Sequence, residues 1–383
     1  MARFQYGGQA LVEGVLMRGR NALAVALRHP DGSIVWATER LDLGLRARRA
    51  MKLPLLRGLV VLYDTLVTGT RWLVRSATVQ ALALKDGEAK GGAAGAAAML
   101  QTLAILPVAP VIGAATSDDA GSNYTSPDAP AVGAPDATGK PGAEEGLGKG
   151  YTVAVGGMLL VALLLGIGLF FLLPLFIAQA TVGRVDQGFG LQLSEGLIRV
   201  VIFLGYLMLV GRAADVRRTF QYHGAEHMSI HTLEAGDPLT VEAARRYPTA
   251  HPRCGTEFLV VVLIVSILAF AVVGKLSPLW LIVSRVILVP VIAAVSYEVL
   301  QLGARNRRHA LVRWLWSPGI WVQKITTRQP TDDMIEVAIV SLQRALVADG
   351  NEIPAGSAVL ACRPLSADEM NDSERPEAAG AAS

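Results

Sequence analysis

Four stretches of this chain are apolar over the roughly 20 residues that crossing a bilayer requires: 152–180, 196–213, 257–274 and 278–303. Pro174 predicts a kink in the first, and Arg199 and Arg285 are isolated charges within the second and fourth. Only Lys275, Leu276 and Ser277 separate the last two, which predicts a tight antiparallel pair. Residues 54–84 follow another pattern. Asp64, Thr68, Arg71 and Arg75 recur on one helical face, as in an amphipathic helix lying at the membrane interface or against the bundle. Residues 93–115, rich in Ala and Gly with Pro107 and Pro110, read as a re-entrant segment or as one that crosses together with 54–84. Near the start, 9–17, 21–28 and 33–39 are short apolar runs broken by Arg18-Gly19-Arg20 and Pro30-Asp31-Gly32. The second break is a turn signal, so 21–39 predicts a β-hairpin within a small meander. Residues 331–347, after Pro330, predict a helix with an acidic first turn.

These elements predict a mainly α, polytopic membrane protein. It is a four-span helical bundle with a small N-terminal β-hairpin or meander and cytoplasmic helices. The expected organisation is a β-rich region over 1–53, the amphipathic or re-entrant segment over 54–115, and a Gly/Pro/Ala/Asp-rich disordered linker over 116–149. The bundle follows over 150–304, with a cytoplasmic loop at 214–256, then a helical region over 305–350 and a disordered tail over 351–383, most strongly from about 364. Composition agrees: of 383 residues 52% are hydrophobic and 17% charged, with a mean hydropathy of +0.42, too apolar for an ordinary soluble protein. The formal charge of +3 and the absence of a basic-aromatic array argue against a nucleic-acid partner. Two cysteines, Cys254 and Cys362, imply no disulfide framework and a reducing compartment. The start of the chain lacks the charged-then-apolar pattern of a signal peptide.

Basic residues orient the bundle. They crowd the N-terminal region (Arg18, Arg46, Arg48, Arg49 and Lys52 among them), the loop after the second span (Arg217, Arg218, Arg245, Arg246) and the stretch after the fourth (Arg305, Arg307, Arg308). The opposite connections offer only Arg184 and Lys275. With four spans all three basic regions fall on one side, which predicts a multi-pass inner-membrane protein with both termini cytoplasmic.

The cytoplasmic loop carries the chemistry. Residues 222–254 hold four of the six histidines, and His223, Glu226 and His227 form an H-x-x-E-H pattern. Positions four apart on a helix share a face, about 6 Å apart along the axis. Two imidazoles so placed can grip one divalent metal, zinc foremost, while the glutamate holds or activates a water. His223 and His231, about 12 Å apart, cannot share an ion. Glu234, about 10 Å beyond His227, joins only if the helix breaks near Leu233 or Gly236. The economical ligand set is therefore His223 and His227 completed by His251 or Cys254, with Glu226 as base or carboxylate ligand. All four ligands together would make a structural site, whereas three and a water would favour catalysis. Glu13, Glu298, His231 and Glu234 are candidates for supporting that site or its substrate. The glycines at 7, 8 and 14 would let the N-terminal strand approach closely.

YGGQALVEGVLMRG near the start, YHGAEH and HPRCGTEF in the middle, SYEVL after the fourth run and PGIWVQKITTRQPTDDMIEVAI near the end together resemble the YqhQ-like bacterial membrane family. The resemblance runs from about residue 5 to 347. It implies a membrane protein of unknown function, sometimes labelled a predicted metal-dependent enzyme. The expected function is a metal-dependent hydrolase at the cytoplasmic face, acting on a lipid-linked or membrane substrate. The rival is a membrane scaffold or assembly factor with a structural metal.

Overall fold

The computed structural model describes residues 6–41, 51–87, 161, 164–182, 189–252, 254–273, 277–306 and 309–366. The chain is mostly helical, with a small sheet built mainly from its N-terminal region. The expectations for 93–115 and 116–149 lie outside the described residues.

Four antiparallel strands form a meander: β1 (Gly7–Leu11), β2 (Gly14–Arg18), β3 (Ala22–Arg28) and β4 (Ile34–Arg40). The hairpin expected over 21–39 is β3–β4, with Ala22 opposite Arg40 and Arg28 opposite Ile34. A further hairpin precedes it, since Leu11 pairs with Gly14 around Val12 and Glu13. Glu13, expected within a strand, therefore occupies the turn, with a positive φ of 54°. Residues 351–366 depart from the expected tail. Gly350 turns the chain back at φ 73°, and β5 (Cys362–Pro364) pairs in parallel with β4, whose outer edge would otherwise present unpaired backbone groups. The short β5 segment, with a proline and no apolar alternation, gave no strand signal.

Period-two alternation gives the sheet two apolar faces, and both are covered. Leu23, Val25 and Leu27 of β3 pack with Trp72 and Leu73 of α1 (Leu56–Gly87). Ala24 and Ala26 face the opposite side, with Tyr222, Ala225 and Met228 of α4 (Ala214–Ala235) and with Ile339 and Leu342 of α9 (Asp332–Ala348). The result is three layers: helix, sheet, helix pair.

Among the described residues, four helices are long and apolar enough to cross a membrane: Leu164–Thr181, Gly190–Val210, Thr256–Val273 and Val283–Ala304. The first of these contains a π-helical turn, Gly168–Leu172, leading into α2 (Leu173–Thr181), with Pro174 in its first turn. The others belong to α3 (Phe189–Val210), α6 (Thr256–Val273) and α7 (Pro278–Arg305), with the one-turn α5 (Val241–Ala244) between α4 and α6. Their outward faces carry exposed Val201, Leu209, Leu268, Val272 and Ile287, the belt that lipid tails solvate at no loss. The observed α3 begins seven residues before the predicted 196–213, through Gln192 and Glu195. Burial of that acid is offset twice over. Arg199 donates to it at 2.5 Å from the next turn, and Arg285 from α7 donates at 2.5 and 3.1 Å. Phe270 stands beside both guanidinium groups, 4.9 and 4.0 Å from their central carbons. Arg199 and Arg285 are thus held by an acid that the apolar pattern left inconspicuous.

Residues of the 54–84 stretch form most of α1, and the polar side chains singled out there reach the sheet. Arg18 binds Asp64 at 2.5 Å, and Arg71 and Arg75 reach Glu39. The start of α1 lies on α7, where a Cβ on Gly58 would stand 2.9 Å from Tyr297 Cβ. Helix α8 (Ala310–Thr326) packs on α6, and Thr326 at its end and Cys254 just before α6 both meet His223 of α4.

That junction is narrow. A Cβ on Gly224 of α4 would lie 2.2 Å from the carbonyl oxygen of Arg328, just past α8, whose own N–H donates to Phe220 O at 2.9 Å. Backbone approaches backbone here, so no rotamer change makes room. Gly224→Ala is expected to destabilise the protein by about 1–3 kcal/mol, as overpacking does. Thermal unfolding in detergent should show a melting temperature several degrees lower. An unchanged melting temperature would mean that the two segments can separate freely.

Candidate metal centre

Helix α4 is polar in sequence yet deeply buried. His223, Glu226, His227, Ser229 and Thr232 are each at most 3% exposed. A buried polar face is stable only if each group finds a partner. Ser229 and Thr232 donate back to the carbonyls of Ala225 and Met228, both at 2.8 Å. The two histidines look outward to other segments. His223 Nδ1 lies 2.9 Å from Thr326 O at the end of α8, and His227 Nδ1 lies 2.6 Å from Thr249 O in the loop that follows α4. A carbonyl only accepts, so both Nδ1 atoms carry the proton and both Nε2 atoms present lone pairs. The backbone carbonyls thus orient both rings and leave Nε2 as the nitrogen able to bind a metal.

The lone pairs converge on Cys254, just before α6. His223 Nε2 is 3.1 Å from Cys254 Sγ, and ligand atoms of His223, His227 and Cys254 all lie within 4.8 Å of one another. Ligands at about 2.0–2.3 Å from a tetrahedral ion stand roughly 3.3–3.6 Å apart, so modest closure brings the three into range. Of the two alternatives for completing the pair, Cys254 is the one placed here. His251 turns away: its Nε2 is 3.3 Å from Glu234 Oε2, and it groups with His231 and Glu234 in a second set within 4.8 Å. Glu234 meets an imidazole without any break at Leu233, because the loop comes to it. Helix α4 runs on until Gly236 ends it at φ 80°.

Glu226 stands outside the three-ligand set but close to it. The Gly8 N–H of β1 donates to its carboxylate, whose other oxygen, Oε2, is buried with no protein partner. A Cβ on Gly8 would lie 2.4 Å from Leu16 O and 3.0 Å from Glu226 Cδ, so only glycine lets the strand come this near. Burial dominates the electrostatics. It pushes Glu226 up to about 8 against the lowering effect of the Gly8 bond, and it holds His223 down at about 4. His227 is lowered by burial and then by its neighbouring imidazoles; the Cys254 thiol is raised by burial and then by Glu226. The pocket thus favours neutral imidazoles and keeps two protons, on sulfur and carboxyl, that a dication would displace. The donor set, the fixed tautomers and the unpartnered Glu226 Oε2 together make a group of residues able to hold a metal ion.

The remaining candidates are placed elsewhere. Glu13 receives both Nε and Nη2 of Arg218 at 2.5 Å and the Tyr222 hydroxyl at 3.3 Å, which clamps α4 just before His223. Glu298 turns toward the start of α1 and accepts a bidentate pair from Arg57, with Nε at 2.8 Å, and the Leu55 N–H at 3.0 Å. It therefore serves the α1–α7 contact and joins neither ligand set. A residue the motifs did not reveal is Gln323 of α8. Its amide oxygen accepts the His251 N–H and its amide nitrogen donates to His251 O, both at 2.9 Å, holding the loop by both backbone groups. It lies within the PGIWVQKIT stretch, but nothing in its local spacing marks it.

Glu226 makes its own contribution to the pH dependence of the metal-free fold. Its folded pKa, about 8, exceeds the ordinary glutamate value of 4.5, so the stability this group contributes is lost as pH rises between those two values. Metal-free Glu226→Gln, which cannot ionise, is expected to match the wild type near pH 4.5 and to gain a growing advantage up to about pH 8. Melting temperatures of the two proteins across that range check this. A constant gap would mean that the carboxyl is not held neutral.

Comparison with known proteins identifies a family. Residues 53–348 match the family described as "Protein of unknown function (DUF1385)". The chain is 30% identical over 342 residues to a Bacillus subtilis (strain 168) protein titled "Uncharacterized protein YqhQ", covering 89% of this chain and 92% of the relative. No solved structure matches. On both counts the chain belongs to the DUF1385, or YqhQ-like, family of proteins of unknown function.

Proposed function

We propose that this protein is a membrane-embedded, metal-dependent hydrolase whose centre is His223, His227 and Cys254, with Glu226 as its base. The observation that carries the reading is the buried, unpartnered Oε2 of Glu226 beside a ligand set of three. Three protein ligands leave a tetrahedral metal one position short, and that position is what separates catalytic from structural sites. A bound zinc or similar ion would supply Lewis-acid polarisation of a substrate oxygen and lower the pKa of a water to about 7.

The chain's own residues do the rest. Thr326 O and Thr249 O hold the two imidazoles in the binding tautomer. Gly8 N–H fixes one oxygen of Glu226, leaving Oε2 to take a proton from water and return it to the leaving group. Surrounding apolar residues exclude bulk solvent, which strengthens each of these interactions. The substrate is a carbonyl or phosphoryl compound carried by the membrane, such as a lipid-linked molecule, because the centre lies at the ends of α3, α6 and α8. Basic residues on the connections at that end support a cytoplasmic orientation in the bacterial inner membrane, with both termini on the same side.

Near-complete burial of all three ligands favours a second reading, a scaffold or assembly factor in which the metal only joins α4 to α6. Two measurements separate them. Purified protein should contain close to one equivalent of zinc or a similar metal at this set, reduced at least tenfold in His223→Ala, His227→Ala and Cys254→Ser. Well-folded wild type without metal, after expression in metal-replete medium, would exclude both readings. Glu226→Gln should keep the metal yet lose cellular function by a factor of about 10² or more, as expected for removal of a general base. Full function in that variant would leave the scaffold.

A further inference from the structure

The strongest feature left unused by that reading is the second set, His231, Glu234 and His251. We propose that these residues form a second, solvent-facing site for a divalent first-row transition metal, separate from the buried one. The inference does not depend on the inner set being catalytic.

The geometry is that of a ligand set. One ligand atom from each residue lies within 4.8 Å of the other two, and His251 Nε2 stands 3.3 Å from Glu234 Oε2. That is about the separation of neighbouring N and O ligands around a tetrahedral ion with bonds of about 2.0–2.1 Å. His231 Nε2 lies 3.0 Å from Ala250 O, so it carries the ring proton and Nδ1 keeps the lone pair. Tyr247 stacks on that ring, with centroids 6.0 Å apart and planes at 11°, and so helps to fix its orientation. The His251 backbone is gripped on both sides by Gln323. Two oriented imidazoles and a carboxylate suit zinc, manganese or iron(II).

Exposure sets this site apart. The His251 side chain is 3% exposed and the Glu234 side chain 33%, with His231 between them in burial. The outer ion keeps positions for water or a small anionic ligand at the surface, whereas all three residues of the inner set are buried. It also ties the C-terminal turn of α4 to the loop three residues before Cys254, which places an outer ion where it holds the approach to the inner ligand. The ordinary alternative is a plain His251–Glu234 hydrogen bond with no ion.

Cobalt(II) distinguishes the two sets, because only the inner one contains a thiolate. Metal-free full-length protein in detergent is titrated with cobalt(II) and followed in the near-ultraviolet and visible. Two equivalents are expected per chain, one with intense sulfur-to-cobalt charge transfer and one with only weak visible bands. Glu234→Ala and His231→Ala, both near the surface, should weaken the second equivalent at least tenfold and leave the charge-transfer band intact. Cys254→Ser should abolish that band and leave the second equivalent. A single equivalent in wild type, or a second one unaffected in both Glu234→Ala and His231→Ala, overturns the proposal. Loss of the charge-transfer band alone would overturn the inner site and leave this one standing.

Discussion

The structure depends on satisfying a polar helix that is buried. Helix α4 brings two imidazoles, a carboxyl and two hydroxyls into the interior, where each unpaired group would cost about 1–3 kcal/mol or more. The hydroxyls close on their own helix, but the imidazoles need carbonyls from elsewhere. His223 therefore draws in the end of α8 through Thr326, and His227 draws in the loop through Thr249. These two bonds bring together segments about 100 and 20 residues away along the chain. They also decide which ring nitrogens face the centre. The packing requirement and the chemical requirement are met by the same hydrogen bonds.

Around this core, ion pairs fix how the layers meet. Glu195 with Arg199 and Arg285 joins α3 to α7 inside the apolar belt, where a lone charge would be intolerable and a paired, fully hydrogen-bonded one is not. Arg57 with Glu298 fastens the start of α1 to α7, and Arg218 with Glu13 fastens the β1–β2 turn to α4. The sheet, covered on both faces, then sets how close β1 comes to Glu226. Each contact is modest by itself. Together they hold His223, Glu226 and His227 of α4 and Cys254, just before α6, in one small volume.

Much of this was legible along the chain. The four apolar helices follow from run length alone, because a bilayer admits few alternatives for a continuous apolar stretch. The amphipathic α1, the β3–β4 hairpin and the acidic start of α9 follow from periodicity and turn chemistry, which are local. The spacing of His223, Glu226 and His227 on one helix is likewise a matter of 3.6 residues per turn. Limits also came from the sequence: His223 and His231 were excluded from sharing an ion by axial distance, and they fall in different sets.

What only the tertiary structure decided was how the loop returns. His251 and Cys254 are three residues apart with equal claims as the third ligand, and the local pattern is silent between them. In the fold Gln323 grips His251 by its backbone, with its ring toward Glu234, while Cys254, just before α6, lies against His223. The fates of Glu13 and Glu298 were decided similarly, by arginines distant in sequence. Such pairings depend on which segments the fold makes neighbours, and no periodicity within a segment encodes that. The β5 strand is the same case: its few residues have no strand pattern of their own, and the open edge of β4 supplies the reason they pair.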